Sequence, residues 1–196
     1  MSAKAAADAR RRKDAPDAAR AALLIVDMIN PLDFPGADAM RAQALPAARA
    51  IARLKKRMKA DGLPVVYVND NFTHWLNDFR ELVAICSQPD APGAPLTRAL
   101  APEHDDYLVL KPKHSGFYAT PLEVLLAQLE VRRVVVTGIA GDGCVLATAL
   151  DAHMRDFEVA VPADCCASMT RERNTRALAL LRAAIHVDTR RGALLG

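Results

Sequence analysis

One repeated pattern constrains this chain more than any other feature. A short, continuous run of apolar and mostly β-branched residues is followed by a longer stretch with helical spacing, and the theme recurs to the end. The runs lie at residues 22–26, 65–68, 107–110, 134–136, 159–161 and 185–187. A strand with one wet face alternates apolar and polar residues. These runs do not alternate, which is the pattern of parallel strands covered on both faces. Between the first two runs, Leu45, Ala48, Ile51, Leu54 and Met58 recur at steps of three and four, with Arg49, Arg53 and Lys56 on the other side. One face of that helix therefore packs on the sheet and the other meets water. It should end near Asp61-Gly62, ahead of Pro64, since Gly admits a left-handed cap. Residues 72–88 carry Trp75, Phe79, Leu82 and Ile85 at helical steps, and the breaker-rich Asp90-Ala91-Pro92-Gly93-Ala94-Pro95 is expected to be loop. The links suit right-handed crossovers, so the expected fold is a doubly wound, three-layer α/β sandwich, Rossmann-like in its winding.

Composition sets the boundaries. The 196 residues are 52% apolar and 25% charged, which is globular rather than disordered or collagenous. A domain of this size buries roughly 70% of its unfolded surface and needs no staples. No apolar run reaches the roughly 20 residues of a membrane span, and the Met1 end carries no apolar core of a secretion signal. Four cysteines (Cys86, Cys144, Cys165 and Cys166) are too few for a disulfide framework, so reduced thiols in a cytoplasmic protein are expected. A redox pair of Cys165 and Cys166 is disfavoured, because adjacent cysteines bridge poorly. Residues 1–20 hold Lys4, Arg10, Arg11, Arg12, Lys13 and Arg20 against Asp8, Asp14 and Asp17, which accounts for the whole formal charge of +3. The basicity thus belongs to a flexible, Ala-rich tail rather than to a nucleic-acid-binding face. Residues 21–196 are read as a single domain.

In sheets of this kind ligands bind beyond the carboxyl ends of the strands, at a switch in strand order. Asp27 follows the first run, Lys111 the third, and Cys144 lies just past the fourth. Taken singly, each has a plain structural reading: a turn or cap, a solvated surface amine, a small core thiol. Taken together, three strand ends of one sheet can converge on one pocket. The segment Gly138-Ile139-Ala140-Gly141-Asp142-Gly143-Cys144-Val145 reads as strand, tight turn and helix start. There, free amides and the helix's partial positive charge lower a thiol pKa and hold an oxyanion. It also reads as a β–α turn that happens to carry a cysteine.

Asp27, the stretch Leu110-Lys111-Pro112-Lys113-His114-Ser115-Gly116-Phe117-Tyr118-Ala119-Thr120-Pro121-Leu122, and the Gly138–Val145 turn followed by Thr148-Ala149-Leu150-Asp151-Ala152 resemble the isochorismatase-like cysteine hydrolases. That family includes nicotinamidase, N-carbamoylsarcosine amidase, and ureidoacrylate and biuret hydrolases, and the resemblance covers about residues 21–190. It implies a six-stranded, mainly parallel sheet and an Asp–Lys–Cys triad at Asp27, Lys111 and Cys144. It also implies a non-proline cis peptide at Ile139–Ala140, an oxyanion hole from the backbone N–H groups of Ala140 and Cys144, and a homo-oligomer. The implied chemistry is hydrolysis of a C–N bond in a small amide, ureido or carbamoyl compound through a thioester, without a cofactor. Asp27 would take the thiol proton, return it to the leaving amine, and act again as base when water cleaves the thioester. The other readings are a vinyl-ether hydrolase of the isochorismatase type, which needs no cysteine nucleophile, and a non-catalytic binding protein that retains the fold.

Several positions refine this reading. Nicotinamidases hold a metal with an Asp-x-His-Pro stretch and a further His. Here the place reads Asn69-Asp70-Asn71-Phe72-Thr73-His74-Trp75, leaving Asp70 and His74 one ligand short of a three-ligand site, so no metal is expected. Candidate substrate contacts are Asn30, Phe34, Asn71, Trp75, Lys113 and Phe117, the lysine because steps of two share a face of an extended segment. Structural packing competes for Phe34, Trp75 and Phe117. His74 and His114 are expected at the loop surface. Gly141 and Gly116 stand where relatives carry Thr and Ala, and both changes are expected to widen the pocket. A second apolar stripe on the helix after Cys144 (Leu146, Leu150, Met154) calls for a second neighbour, either another subunit or another helix of the chain.

Overall fold

The computed structural model describes residues 20–72 and 75–195; residues 1–19 of the 1–20 tail and His74 lie outside them. The apolar runs form β1 (Ala21–Val26), β2 (Val65–Asp70), β3 (Tyr107–Lys111), β4 (Arg133–Gly138) and β5 (Glu158–Ala160). All pairs are parallel, in the order β3-β2-β1-β4-β5. The helices are α1 (Ala37–Ala60), α2 (Phe79–Cys86), α3 (Ala94–Ala99), α4 (Leu122–Gln128), α5 (Cys144–His153) and α6 (Arg171–Ile185).

The continuous apolar runs follow from having a core on each face. Leu23, Ile25, Val65, Tyr67 and Val135 pack with α1, α2 and α3 in one cluster. Their alternates Leu24, Val26, Val66, Val68, Val134 and Val136 pack with α4, α5 and α6 in the other. Every side chain from Ala22 to Val26 is fully buried, as a central strand between two layers requires. The α1 face buries Ala48, Ile51, Leu54 and Met58 as the spacing predicts, and Gly62 follows at φ 73.

Two expectations are corrected. The sixth strand at residues 185–187 is not formed. Ile185 stands four residues after Leu181, so the helical period of α6 claims it. His186 caps the helix in the left-handed region, and only Asp188 beyond it makes an isolated parallel bridge to Ala160. Secondly, the Asp90–Pro95 breaker cluster is loop only as far as Gly93. Pro95 sits in the first turn of α3, where its missing N–H would have had no partner anyway.

The chain winds outward from β1 through β2 to β3, then returns to build β4 and β5 on the other side. The switch in strand order is therefore at β1/β4, and the residues just past both strands, Asp27 and Ile139, are the ones the fold offers to a ligand. The two strand ends are locked together: the Ile139 N–H donates to the Val26 carbonyl at 3.1 Å. A Cβ on Gly138, at φ 116, would overlap that same carbonyl, so the position requires glycine.

Candidate active site

Three strand ends meet as the sequence pattern anticipates. Asp27 leaves β1 at φ 53, a left-handed conformation that Asp tolerates better than most residues. Lys111 ends β3 with its side chain completely buried, and its Nζ lies 2.9 Å from Asp27 Oδ2 and 3.4 Å from Cys144 Sγ. Nζ also donates to the Lys113 carbonyl at 3.1 Å and stands 3.6 Å from Asp70 Oδ2. Asp70, paired with Lys111 across the β2–β3 ladder, gives its own N–H to Asp27 Oδ1 at 2.6 Å. Asp27 thus receives one donor on each oxygen while only 5% exposed.

Burial pushes the Asp27 carboxyl up, and the adjacent Lys111 charge only partly offsets this. Burial pulls Lys111 down, yet the negative charge of Asp27 and its hydrogen bond help leave it raised overall. The Cys144 thiol is pushed up to about 12, by burial first and then by the Asp27 charge, against the opposing Lys111. This reverses the expectation that the helix start lowers the thiol pKa: the sulfur begins α5, but burial beside a carboxylate outweighs the helix terminus. The resting thiol is protonated, and its neighbour is a carboxylate whose raised pKa suits it to accept that proton.

The Gly-rich turn holds its amides in a definite pattern. The Ile139–Ala140 peptide is cis. The N–H of Gly141 donates to the Ala167 carbonyl (2.7 Å), and those of Gly143 and Val145 to the Ala140 carbonyl (2.9 and 3.1 Å). The Asp142 N–H donates to Ser168 Oγ (3.1 Å). Among the described residues, no acceptor is found for the N–H groups of Ala140 and Cys144. The expected widening at Gly141 and Gly116 does not occur. A Cβ at Gly141 would overlap the Asn174 side chain of α6, and one at Gly116 would press on Val68 within the core.

The remaining candidates separate. Asn30 is buried, and its Oδ1 accepts from the Leu32 N–H at 2.9 Å, so that oxygen shapes its own loop. Phe117 is buried in the second core, its ring 5.8 Å from that of Phe157 and beneath Arg155; it is spent on packing. Phe34 and Trp75 are 39% and 60% exposed in the loops after β1 and β2, and Asn71 is half-buried directly after Asp70. The Lys113 side chain is exposed, and it is its carbonyl that reaches the site.

His114, expected at the loop surface, is exposed there, and its Nδ1 stands 3.5 Å from Cys144 Sγ, a proximity the sequence reading did not anticipate. The extended-segment rule favoured Lys113, but residues 112–115 are bent rather than strand, and the third residue after Lys111 is the one that turns back. Pro112 and Ser115-Gly116 were the available signal for that bend. Among the described residues, no group of three His, Cys, Asp or Glu is placed to hold a metal ion. No described helix is long and apolar enough to cross a membrane. A cleft of about 400 Å³ between α1 and α6 and one of about 490 Å³ beneath residues 193–195 lie away from the triad; chemistry rather than volume marks the site.

The description "Isochorismatase domain" fits residues 21–190. The chain is 38% identical over 160 residues to the uncharacterized isochorismatase family protein YaaI of Bacillus subtilis, covering 82% of this chain and 87% of that one. It is 32% identical over 186 residues to the ureidoacrylate amidohydrolase RutB of Methylorubrum extorquens, covering 80% and 73%. An isochorismatase family protein from Desulfovibrio vulgaris has a crystal structure that superimposes with a TM-score of 0.74 at 25% identity, over 90% of this chain and 96% of that one.

Proposed function

The chain belongs to the isochorismatase family, and on that premise we propose that it is a cysteine hydrolase cleaving a C–N bond of a small amide, ureido or carbamoyl compound. One observation carries the reading. A buried Asp27–Lys111 pair bears on the Cys144 thiol, beside a turn whose Ala140 and Cys144 amides have no acceptor among the described residues. The similarity to an amidohydrolase acting on ureidoacrylate supports the C–N bond.

In this mechanism Asp27 accepts the thiol proton as Sγ attacks the carbonyl carbon. Lys111, fully charged and desolvated, stabilises the developing thiolate and keeps Asp27 oriented. The carbonyl electron pair moves onto oxygen, and the two free amides receive it. As the C–N bond breaks, Asp27 returns its proton to the leaving nitrogen, so that a thioester and a neutral amine or ammonia result. Water then cleaves the thioester. Asn71, beside Asp70 at the end of β2, is the polar group we assign to substrate contact.

The test is release of ammonia or amine from a panel of small amides, ureides and carbamoyl amino acids, with Cys144→Ala alongside. Turnover by the native chain and a loss of at least about a thousandfold in the variant is the expected result. Equal rates in both proteins would overturn the nucleophile. Hydrolysis of a vinyl ether alone would assign the isochorismatase-type reaction instead.

A further inference from the structure

We propose that His114 is a fourth catalytic residue, the base that activates the water releasing the acyl group from Cys144. The inference rests on the reading of Cys144 as nucleophile and divides the proton transfers that the triad alone would leave to Asp27. The geometry motivates that division. Asp27 and Lys111 approach the sulfur from the protein interior, 5% and 0% exposed. His114 is exposed and reaches the same sulfur at 3.5 Å through Nδ1. After acylation, water enters from solvent, on the side where the imidazole stands and the carboxylate does not.

The step balances without any added reagent. His114 Nδ1 takes one proton from water as the water oxygen bonds to the thioester carbonyl carbon. The tetrahedral intermediate collapses, the C–S bond breaks, and the electron pair leaves on Sγ, where Lys111 stabilises it. The imidazolium then gives its proton to the thiolate, restoring the thiol and the neutral ring. The product is a carboxylic acid, or a carbamic acid where the acyl group is ureido or carbamoyl.

The experiment uses p-nitrophenyl acetate, an activated ester, so it does not depend on knowing the natural substrate. Full-length native protein, His114→Gln, His114→Ala and Cys144→Ala are mixed with it, and p-nitrophenolate release and intact mass are followed. The expected result for both His114 variants is a burst of about one equivalent, a steady rate about a hundredfold below native, and accumulation of the singly acetylated protein. Added imidazole should restore turnover in His114→Ala beyond the ester hydrolysis it causes with Cys144→Ala, which no structural role of the side chain would produce. Native steady-state rates in both variants, or an unrescued variant that does not accumulate acetyl-enzyme, would overturn the role of His114 while leaving Cys144 as nucleophile. Absence of acetylation at Cys144 in every protein would overturn the nucleophile, and with it the inference.

Discussion

The space that a side chain at Gly141 would need is already taken by Asn174, whose amide donates to the Cys166 carbonyl at 3.3 Å and whose oxygen accepts from Ser168 Oγ at 3.4 Å. Ser168 in turn receives the Asp142 N–H, and Arg173 reaches Asp142 at 2.5 Å. The start of α6 thus braces the turn that presents Cys144, and the glycine is small because a neighbour fills its place. Gly141→Ala should cost about 1–3 kcal/mol through overpacking, and Asn174→Ala in the same chain should recover most of that loss. Thermal unfolding of the two single variants and the double variant reads the coupling; additive losses would show that the two residues do not share the space. At this scale the sequence was legible where chemistry and position coincided. Asp27, Lys111 and Cys144 stand out as polar or reactive residues at the ends of apolar runs. His114 and Asn174 did not, because a bent segment and a contact across 33 residues leave no periodic mark.

The strands were legible because burial on both faces forces an uninterrupted apolar run, and α1 because its apolar stripe is long. Short apolar triplets were not, since the helical period of α6 and a sixth strand both accommodate Ile185-His186-Val187. The stripe on α5 resolves within the chain for the most part: Leu146 and Leu150 pack against the second core, while Met154 is 72% exposed. The same spacing that defines α1 carries a charged exception. Lys55 lies on the buried face, four residues after Ile51, and its Nζ contacts Asp106 at 2.6 Å and the Tyr67 hydroxyl at 3.2 Å. Both ionic side chains are at most 6% exposed, and Glu103 reaches Lys55 while Lys59 reaches Asp106, each at 3.1 Å, so the buried pair is the centre of a small network. Asp106→Ala should lower stability by up to about 3–5 kcal/mol, because it removes the buried carboxylate and leaves Lys55 only the half-exposed Glu103, whereas the double change Lys55→Met with Asp106→Leu should cost less. Chemical denaturation of both proteins decides it. A single variant as stable as the native chain would show that the pair contributes only surface electrostatics.

Over the whole molecule, the carboxylates titrate in two opposed senses, and their sum sets how stability responds to acid. Glu103 is held below its usual range by hydrogen bonds from Lys59 and Lys55, and Asp188 by hydrogen bonds from Arg190. Burial pushes Asp142 up, but hydrogen bonds from Ser168 and Arg173 outweigh it and leave that carboxyl low. Each of these binds its proton less tightly when folded than when unfolded. Below the unfolded carboxylate range, near pH 4, the unfolded chain therefore holds more protons, and the stabilisation is lost as pH falls through the depressed folded values. Asp27 runs the other way. Its raised pKa means the folded chain keeps that proton to higher pH, so its contribution declines as pH rises through the window above 4. With Asp105 and Glu172 also held low, five depressed carboxylates stand against one raised one among the described residues, and the urea midpoint should fall steadily between about pH 5 and pH 3. Added salt should flatten that slope, since Glu103 and Asp188 are solvent-accessible and their partners are screened. A midpoint that holds or rises over the same interval would mean that Asp27, rather than the surface pairs, governs the acid response of the fold.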